Sequence, residues 1–469
     1  MPSNLFRNIP SVNELLENPQ LQRLVDKVSH HAVVSRVRTF LDDLRVELQN
    51  AAADAKLPTA SELAETIARR ILAADQPSLR PVINATGVLL HTGLGRAPLA
   101  DEAIAEMAAA ARDYASVELD LVSGRRSQRV EAVRDLLLEL TGAEAALVVN
   151  NNAGATMLAL AALAAGREVI VSRGQLIEIG GSYRLPDVMS ASGAALREVG
   201  TTNKTRIGDY EAAINEHTAA LMLVHPSNFV VVGFSESTSL AELVKLGRTR
   251  NLPVIHDIGS GAVIDFAEFG FSDEPLAAAS IKLGADVALF SGDKLLGGPQ
   301  CGIIVGKREH VDAMSRHPLA RALRVDKLTL AALAATLRIY RNPERAKQSI
   351  PLLQFLSTPV ENLKSRAERL APQMAECGAI AEAATVADTT YLGGGSIPAQ
   401  QLATWCVVLS PREMTVDKLA ARLRTAAPSV VGRVRDDRLL LDLRTVFPRH
   451  DVELVAAVRA LGDGETKAE

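Results

Sequence analysis

At the start of the chain the apolar residues fall at helical intervals. Leu15, Leu16, Leu21, Leu24 and Val25 form one series, and Val33, Val34, Val37, Phe40, Leu41 and Leu44 form a second. Residues spaced three or four apart share one side of a helix, so each series predicts an amphipathic helix with a buried stripe. Ser11 stands three positions before Glu14, the pattern of a capping box, and predicts the first helix start. A further helix is predicted over 61–74. The stretch Gln76-Pro77-Ser78-Leu79-Arg80-Pro81 then breaks the pattern, so residues 1–75 read as a separate helical domain.

From residue 130 onward, helical stretches alternate with short apolar runs. Glu131 to Leu140 predicts a helix, Ala145 to Val149 a buried strand, Ala153 to Ala164 a helix and Glu168 to Ser172 a second strand, together a βαβ unit. More strands are predicted at Ala220 to Val224, Pro253 to His256, Val287 to Phe290 and Gly302 to Val305. Such interleaving implies an α/β domain, a mostly parallel sheet with helices on both faces, here over 76–325. After Arg324 long helices dominate, with short strands predicted near Cys406 to Leu409 and Leu439 to Leu443. Residues 326–469 therefore read as a smaller α+β domain.

The chain has 469 residues, of which 48% are hydrophobic and 23% charged, an ordinary globular balance that excludes a disordered chain. Its net charge of −4 excludes a uniformly basic nucleic-acid binder but leaves room for a local basic site. Aromatic residues are only 3%, too few for an extended platform that stacks bases. Cys301, Cys377 and Cys406 are far apart and form no C-x-x-C pair, so neither a zinc site nor a redox pair has sequence support. His30-His31 has no partner at ligand spacing, and no metal is expected. The start MPSNLFRNIP lacks a signal-peptide pattern, and the most apolar stretch falls short of the ~18 residues of a membrane span. These features predict a cytoplasmic location, with neither a membrane nor DNA as partner.

Three turns carry chemistry. In Ser291-Gly292-Asp293-Lys294 a lysine follows a predicted strand directly, and the glycines of Leu295-Leu296-Gly297-Gly298-Pro299-Gln300-Cys301-Gly302 come next. A lysine there suits a Schiff base with pyridoxal 5′-phosphate, provided its ammonium can lose a proton. In His256-Asp257-Ile258-Gly259-Ser260-Gly261 the carboxylate of Asp257 closes a strand and can pair with a protonated pyridine nitrogen. Capping of the next turn is the ordinary alternative. In Asn150-Asn151-Asn152-Ala153-Gly154-Ala155-Thr156 a strand passes into a helix, whose N-terminal N–H groups and small residues admit a phosphate. Plain capping by asparagine is compatible with this. Phosphate helix, then aspartate, then lysine is the order found in fold-type I pyridoxal phosphate enzymes. Gly93 to Pro98 fails the dinucleotide-binding pattern, and no P-loop is present. Cys301 reads as a packing residue, and His225 as either a ring contact or a structural residue.

Arginines add positive charge nearby. Arg96 follows His91-Thr92-Gly93-Leu94-Gly95, Arg125, Arg126 and Arg129 surround Ser127, and Arg321 and Arg324 share a face if helical. Surplus arginines suit a phosphate-like second substrate, although any one of them could be solvated or ion-paired.

Taken together, these residues resemble the bacterial selenocysteine synthases, the L-seryl-tRNA(Sec) selenium transferases. The resemblance rests on Ile9-Pro10-Ser11-Val12-Asn13-Glu14-Leu15-Leu16, Asn84-Ala85-Thr86-Gly87-Val88, His91 to Leu99 and Thr141 to Ala146. It extends through Val149 to Ala153, Arg173 to Gly181, Ser291 to Gln300 and Gly393-Gly394-Gly395-Ser396-Ile397-Pro398. It implies a fold-type I, aspartate aminotransferase-like transferase that uses pyridoxal 5′-phosphate and assembles as a homodecamer, a pentamer of dimers. It implies that residues 1–75 grip tRNA(Sec) charged with serine. Lys294 would carry the cofactor, with Asp257, Asn151, Asn152, Ala153, Gly154 and Ser291 around it. Asp293 would be a nearby catalytic residue, and Arg96, Arg321 and Arg324 would line a selenophosphate site. The implied reaction is elimination from the serine β-carbon to an aminoacrylyl-tRNA, followed by selenium addition. Two alternatives stay open: a pyridoxal phosphate lyase or transferase acting on a small amino acid or amino sugar acid, and a non-catalytic tRNA-binding protein on the same fold.

Overall fold

The computed structural model describes all residues except 1–8, 51–57, 76, 78, 177, 180–182, 227–228, 230, 272–273, 394–395 and 463–469. The chain forms two compact units, Met1–Pro81 and Val82–Glu469. Parts of three quoted runs, namely Ile177, Gly180, Gly181, Gly394, Gly395, Gln76 and Ser78, lie outside the described residues.

The first unit contains helices Val12–Leu16, Pro19–Val28, His30–Asn50 and Ala60–Asp75. The capping box is present: Ser11 Oγ accepts from the Glu14 N–H at 3.2 Å, and Glu14 Oε2 accepts from the Ser11 N–H at 3.4 Å. The apolar series from Leu15 to Val25 does not make one helix. Asn18 Oδ1 accepts from the Gln20 N–H at 2.9 Å, and Pro19 occupies the first turn of a new helix, where its missing donor costs nothing. Leu15, Leu21, Leu24, Val33, Val37, Leu41, Ile67 and Ile71 pack into one core, so both predicted stripes face inward.

In the second unit seven strands form one sheet. They are β1 (Ala145–Val149), β2 (Glu168–Ser172), β3 (Ala195–Val199), β4 (Thr218–Val224), β5 (Val254–Gly259), β6 (Val287–Ser291) and β7 (Gly302–Gly306). Their order across the sheet is β1-β7-β6-β5-β4-β2-β3. All pairings are parallel except those of β7, which runs antiparallel to both neighbours. The alternation of apolar runs and helices predicts β1 and β2 as one βαβ unit. The chain does pass from β1 through helix Asn152–Ala164 to β2, but four strands lie between them.

Period-two alternation sends side chains to opposite faces. Ala146, Val148, Ala288, Phe290, Ile303 and Val305 join one cluster, and Ala145, Val149, Val287, Leu289 and Ile304 join another. Both faces are covered over the central strands, which are apolar, whereas the edge strand β3 carries Arg197 and Glu198 and is largely exposed. Burying Phe290, which is 0% exposed, contributes roughly 1.5–3 kcal/mol.

A four-stranded sheet, in the order Ile380–Gly393, Ser396–Pro411, Arg438–Asp442, Arg433–Arg435, follows near the C-terminus. Its two long strands exceed the short runs expected from the sequence, because small and polar residues from Ala381 to Thr390 hide the first of them. Strand Val82–Asn84 pairs in parallel with Ser429–Val431, so the segment after the interdomain break joins this C-terminal region. Among the described residues no helix is long and apolar enough to cross a membrane.

Candidate active site

The reversal of β7 assembles the site. Gly302 sits opposite Val149 on one side and Ser291 on the other, so the turns that follow β1 and β6 emerge side by side. Next in the sheet, β5 brings Asp257 opposite Leu289. These are the carboxyl ends of parallel strands, where open α/β sheets hold ligands. Glycine is required at 302, because a Cβ there would run into the carbonyl of Asn151.

Helix Asn152–Ala164 starts at this edge. Asn151 caps it, its Oδ1 accepting from the Gly154 N–H at 2.8 Å. That cap takes up the Gly154 N–H, whereas the N–H groups of Asn152 and Ala153 have no partner within the helix and can receive an anion. The same helix clasps Asp257. Asn152 Nδ2 donates to Asp257 Oδ1 at 2.9 Å, and Thr156 Oγ1 donates to Oδ2 at 2.9 Å. Asp257 is 5% exposed. Burial pushes its carboxyl up, against these two hydrogen bonds, the charge of Lys294 and the Gly259 N–H.

Lys294 is also 5% exposed. Burial pulls its ammonium below the ordinary lysine range, and the charge of Arg96 adds to this, while Asp257, Asp293 and Glu274 oppose it. Arg96 reaches the turn through an ion pair, its Nη1 lying 2.8 Å from Asp293 Oδ2. Its backbone has a φ of 62°, an uncommon conformation for a side chain of this size, and the Asp293 contact helps hold it there. Lys294, Asp293, Arg96, Asp257, Asn151, Asn152, Ala153, Gly154 and Ser291 are thus gathered by adjoining elements.

The other arginines separate into two groups. Arg126 and Arg129 both pair with Glu118, at 2.8 and 2.6 Å, which is the ordinary structural use of such a cluster. Arg321 ends up in the short helix Pro318–Ala322, but Arg324 lies beyond it and bridges Val149, so the two do not share a helical face. Both side chains are exposed, and the segment runs beside the turn after β1, where the Asn150 N–H donates to the Leu323 carbonyl at 2.7 Å.

Further buried polar groups, most of them unmarked in the sequence, gather at this end of the sheet. Ser260 Oγ donates to Glu274 Oε1, and Glu274 Oε2 lies 3.9 Å from His225 Nε2. Burial pushes the Glu274 carboxyl up to about 7, against the Ser260 hydrogen bond and the charge of Lys294. His256 Nδ1 shares a hydrogen bond of 2.9 Å with Ser280 Oγ, and burial, followed by the charge of His225, pulls its imidazole down to about 3. His225, His256 and Glu274 line a cavity of about 500 Å³ with Gln175, Thr205 and Thr238. Glu274 had no sequence signal, because nothing in Glu274-Pro275-Leu276 marks a return to the strand ends.

The residues fit pyridoxal 5′-phosphate. Besides the helix end, the clasped carboxylate and the buried lysine, Asn152 Oδ1 is buried without a hydrogen-bond partner, an acceptor that a donor of an added group could satisfy. Cys301 is fully buried and its thiol is pushed up, as a packing residue requires.

The chain is 50% identical to the L-seryl-tRNA(Sec) selenium transferase of Moorella thermoacetica over 97% of this chain and 96% of that protein. It is 45% identical to the enzyme of the same name from Hyphomonas neptunium, over 97% of this chain and 98% of that one. Among solved structures, a D-glucosaminate-6-phosphate ammonia-lyase superposes with a TM-score of 0.57 and 21% identity, covering 83% of this chain and 97% of that one, which shows a shared fold. Residues 6–45 match the family model described as selenocysteine synthase N terminal. With residues 82–447 matching the model described as L-seryl-tRNA selenium transferase, the lysine turn, the clasped aspartate and the helical N-terminus all fall within matched segments, and the chain belongs to that family.

Proposed function

We propose that this chain converts L-seryl-tRNA(Sec) to L-selenocysteinyl-tRNA(Sec), with selenophosphate as selenium donor and pyridoxal 5′-phosphate as cofactor. The observation that carries this reading is a lysine buried at the strand ends with a clasped aspartate, with an arginine held against its turn. When bound, pyridoxal phosphate supplies an electron sink for the negative charge formed at the serine α-carbon. Asn151, Asn152, Ala153 and Gly154 would receive its phosphate, with Ser291 beside them, and Asp257 would keep its ring nitrogen protonated. Lys294 would hold the cofactor and then, as a free amine, take the α-proton on Nζ. Burial, which lowers its ammonium pKa, favours both tasks.

Arg96, Arg321 and Arg324 would bind selenophosphate. Arg96 is tethered by Asp293, whereas Arg321 and Arg324 are exposed beside the phosphate turn. Asp293 would act by orienting Arg96 next to Lys294. The N-terminal helical unit would grip tRNA(Sec), a reading supported by its match to the family's N-terminal model. The enzyme would work in the cytoplasm as a homodecamer, a pentamer of dimers.

The test is turnover of the purified full-length protein with seryl-tRNA(Sec) and selenophosphate, followed by identification of the amino acid carried by the tRNA. Selenocysteine is expected on tRNA(Sec), and not with seryl-tRNA(Ser) or free serine as substrate. Absence of selenocysteine, together with a cofactor spectrum that responds to a small amino compound, would replace this reading with a small-substrate lyase.

A further inference from the structure

The run Asn84-Ala85-Thr86-Gly87-Val88 has no part in the roles above, yet it lies in a strap that joins the C-terminal sheet to the lysine turn. At one end the Ala85 N–H donates to the Val431 carbonyl at 2.8 Å, and the Asp442 N–H donates to the Ala85 carbonyl at 2.9 Å. The Gly87 N–H donates to Thr445 Oγ1 at 3.0 Å, and the Leu90 N–H to the Leu392 carbonyl at 2.8 Å. The strap also knits itself. Asn84 Oδ1 accepts from the Thr86 N–H at 3.0 Å and from its hydroxyl at 2.7 Å, while Asn84 Nδ2 donates to the Val88 carbonyl at 3.1 Å. At the other end the His91 carbonyl accepts from the Leu94 and Arg96 N–H groups, both at 3.0 Å, and the chain turns so that Arg96 meets Asp293. Between these ends Gly87 has a φ of 81°, and a Cβ there would run into Asp442 and Thr390. The Asp442 side chain is 0% exposed, bonded by Thr404 Oγ1 at 2.6 Å and paired with Arg433 Nη2 at 2.8 Å. Such a buried pair is weak evidence for stability, and what packs on it here is a backbone position where only glycine fits.

We propose that Thr445 and Asp442 are positioning residues that act through Arg96: they fix the strap from Ala85 to His91, and the strap sets the Arg96 guanidinium against Asp293 on the lysine turn. Thr445 holds the Gly87 N–H. Asp442 holds the Ala85 carbonyl through its own N–H, and its buried side chain is the surface on which Gly87 rests. Neither residue is among those gathered around Lys294. The Asp293 ion pair alone is a weak anchor, because the Arg96 side chain is 27% exposed and water competes for it. The φ of 62° at Arg96 likewise persists only where the surrounding chain enforces it. A strap that shifts at Gly87 would therefore carry Arg96 with it and leave Lys294, Asp257 and the phosphate helix in place. This rests on the reading of Arg96 as a selenophosphate ligand.

The experiment compares full-length wild type with Thr445→Val, which removes the hydroxyl and keeps the shape, and with Thr445→Ser, which keeps the hydroxyl. Without cofactor, phenylglyoxal labelling read by mass spectrometry follows Arg96, with Arg345, another ion-paired arginine of the same unit, as internal reference. Loss of one hydrogen bond corresponds to roughly a two- to tenfold change, so Arg96 in Thr445→Val is expected to label faster by about that factor. Thr445→Ser is expected to match wild type, and Arg345 to label equally in all three. Equal Arg96 rates in wild type and Thr445→Val, or a parallel rise at Arg345 that marks general loosening, would overturn the proposal. With cofactor and both substrates, Thr445→Val is expected to raise the KM for selenophosphate by roughly the same factor, with kcat and the KM for seryl-tRNA(Sec) near wild type. Added to Arg96→Ala, it is expected to change nothing further, because its effect passes through that side chain. A multiplicative effect in the double variant would overturn the proposal. If Thr445→Val does not fold, Asn84→Ala, which unknits the strap at a partly exposed position, decides by the same labelling rates. Arg96→Ala with an unchanged KM would refute the underlying reading of Arg96, while the labelling rates would still decide whether the strap positions it.

Discussion

His256 makes this fold sensitive to acid. Its imidazole is held to a pKa of about 3 in the folded protein, against an ordinary 6.5, chiefly because it is buried. Below pH 6.5 the unfolded chain therefore binds a proton that the folded protein refuses. Stability falls as pH drops from 6.5 toward 3 and is fully present above that window. At pH 5 the unfolded histidine lies about 1.5 units below its pKa, which corresponds to about 2 kcal/mol of lost stability. Glu274 works in the opposite direction. Its folded pKa of about 7 exceeds the ordinary 4.5, so the folded state gains stability as pH falls through that range. His256→Gln removes the imidazole and keeps a group able to bond Ser280, while Glu274 remains in both proteins. Urea unfolding of wild type and His256→Gln at pH 7.5 and pH 5, followed by circular dichroism at one protein concentration, isolates the histidine as a difference. The variant is expected to lose about 2 kcal/mol less than wild type between the two conditions. If both lose the same amount within about 0.5 kcal/mol, His256 is not a neutral buried histidine and the argument fails.

Lys294→Ala is expected to show no visible absorption band when pyridoxal phosphate is added and to have no measurable turnover; a wild-type spectrum would reassign the lysine. Arg96→Ala is expected to raise the KM for selenophosphate at least roughly tenfold, with Arg96→Lys recovering only part, since a lysine cannot reproduce a planar fork; an unchanged KM would remove Arg96 from that site. Gly302→Ala is expected to weaken pyridoxal phosphate binding, as followed by equilibrium dialysis, because the added methyl displaces Asn151 at the head of the phosphate helix; wild-type affinity would show that the turn can shift without cost. Asp257→Ala is expected to strand the Asn152 and Thr156 side chains and to lower kcat by at least roughly a hundredfold while the lysine band persists; near-normal kcat would deny it a role at the ring nitrogen.

The sheet was legible because buried strands such as Val287–Ser291 are short apolar runs ending in turn residues, a local pattern. Asn151, Asp257 and Lys294 were legible for the same reason, since each stands where such a run meets a turn. What depends on long-range pairing was not. Nothing in Gly302 to Gly306 announces an antiparallel strand, and nothing between Asp265 and Leu276 announces that Glu274 folds back under Ser260. The break at Asn18-Pro19 was written in the residues but overridden by the apolar period on either side of it. The long strand Ile380–Gly393 carries alanines, threonines and an aspartate whose partner, Arg433, lies far along the chain. Propensity alone does not detect a strand held by such pairs.

The reversed strand β7 also sets when the site can exist during folding. The phosphate turn and the lysine turn become neighbours only after Gly302–Gly306 has inserted between Val287–Ser291 and Ala145–Val149, and the second of these pairings closes a long loop of chain. Closing such a loop is entropically costly and comes late when local contacts form first. A chain that fails to seat this strand would leave the turns after Val149 and Ser291 apart, so the site would be completed only with the large sheet.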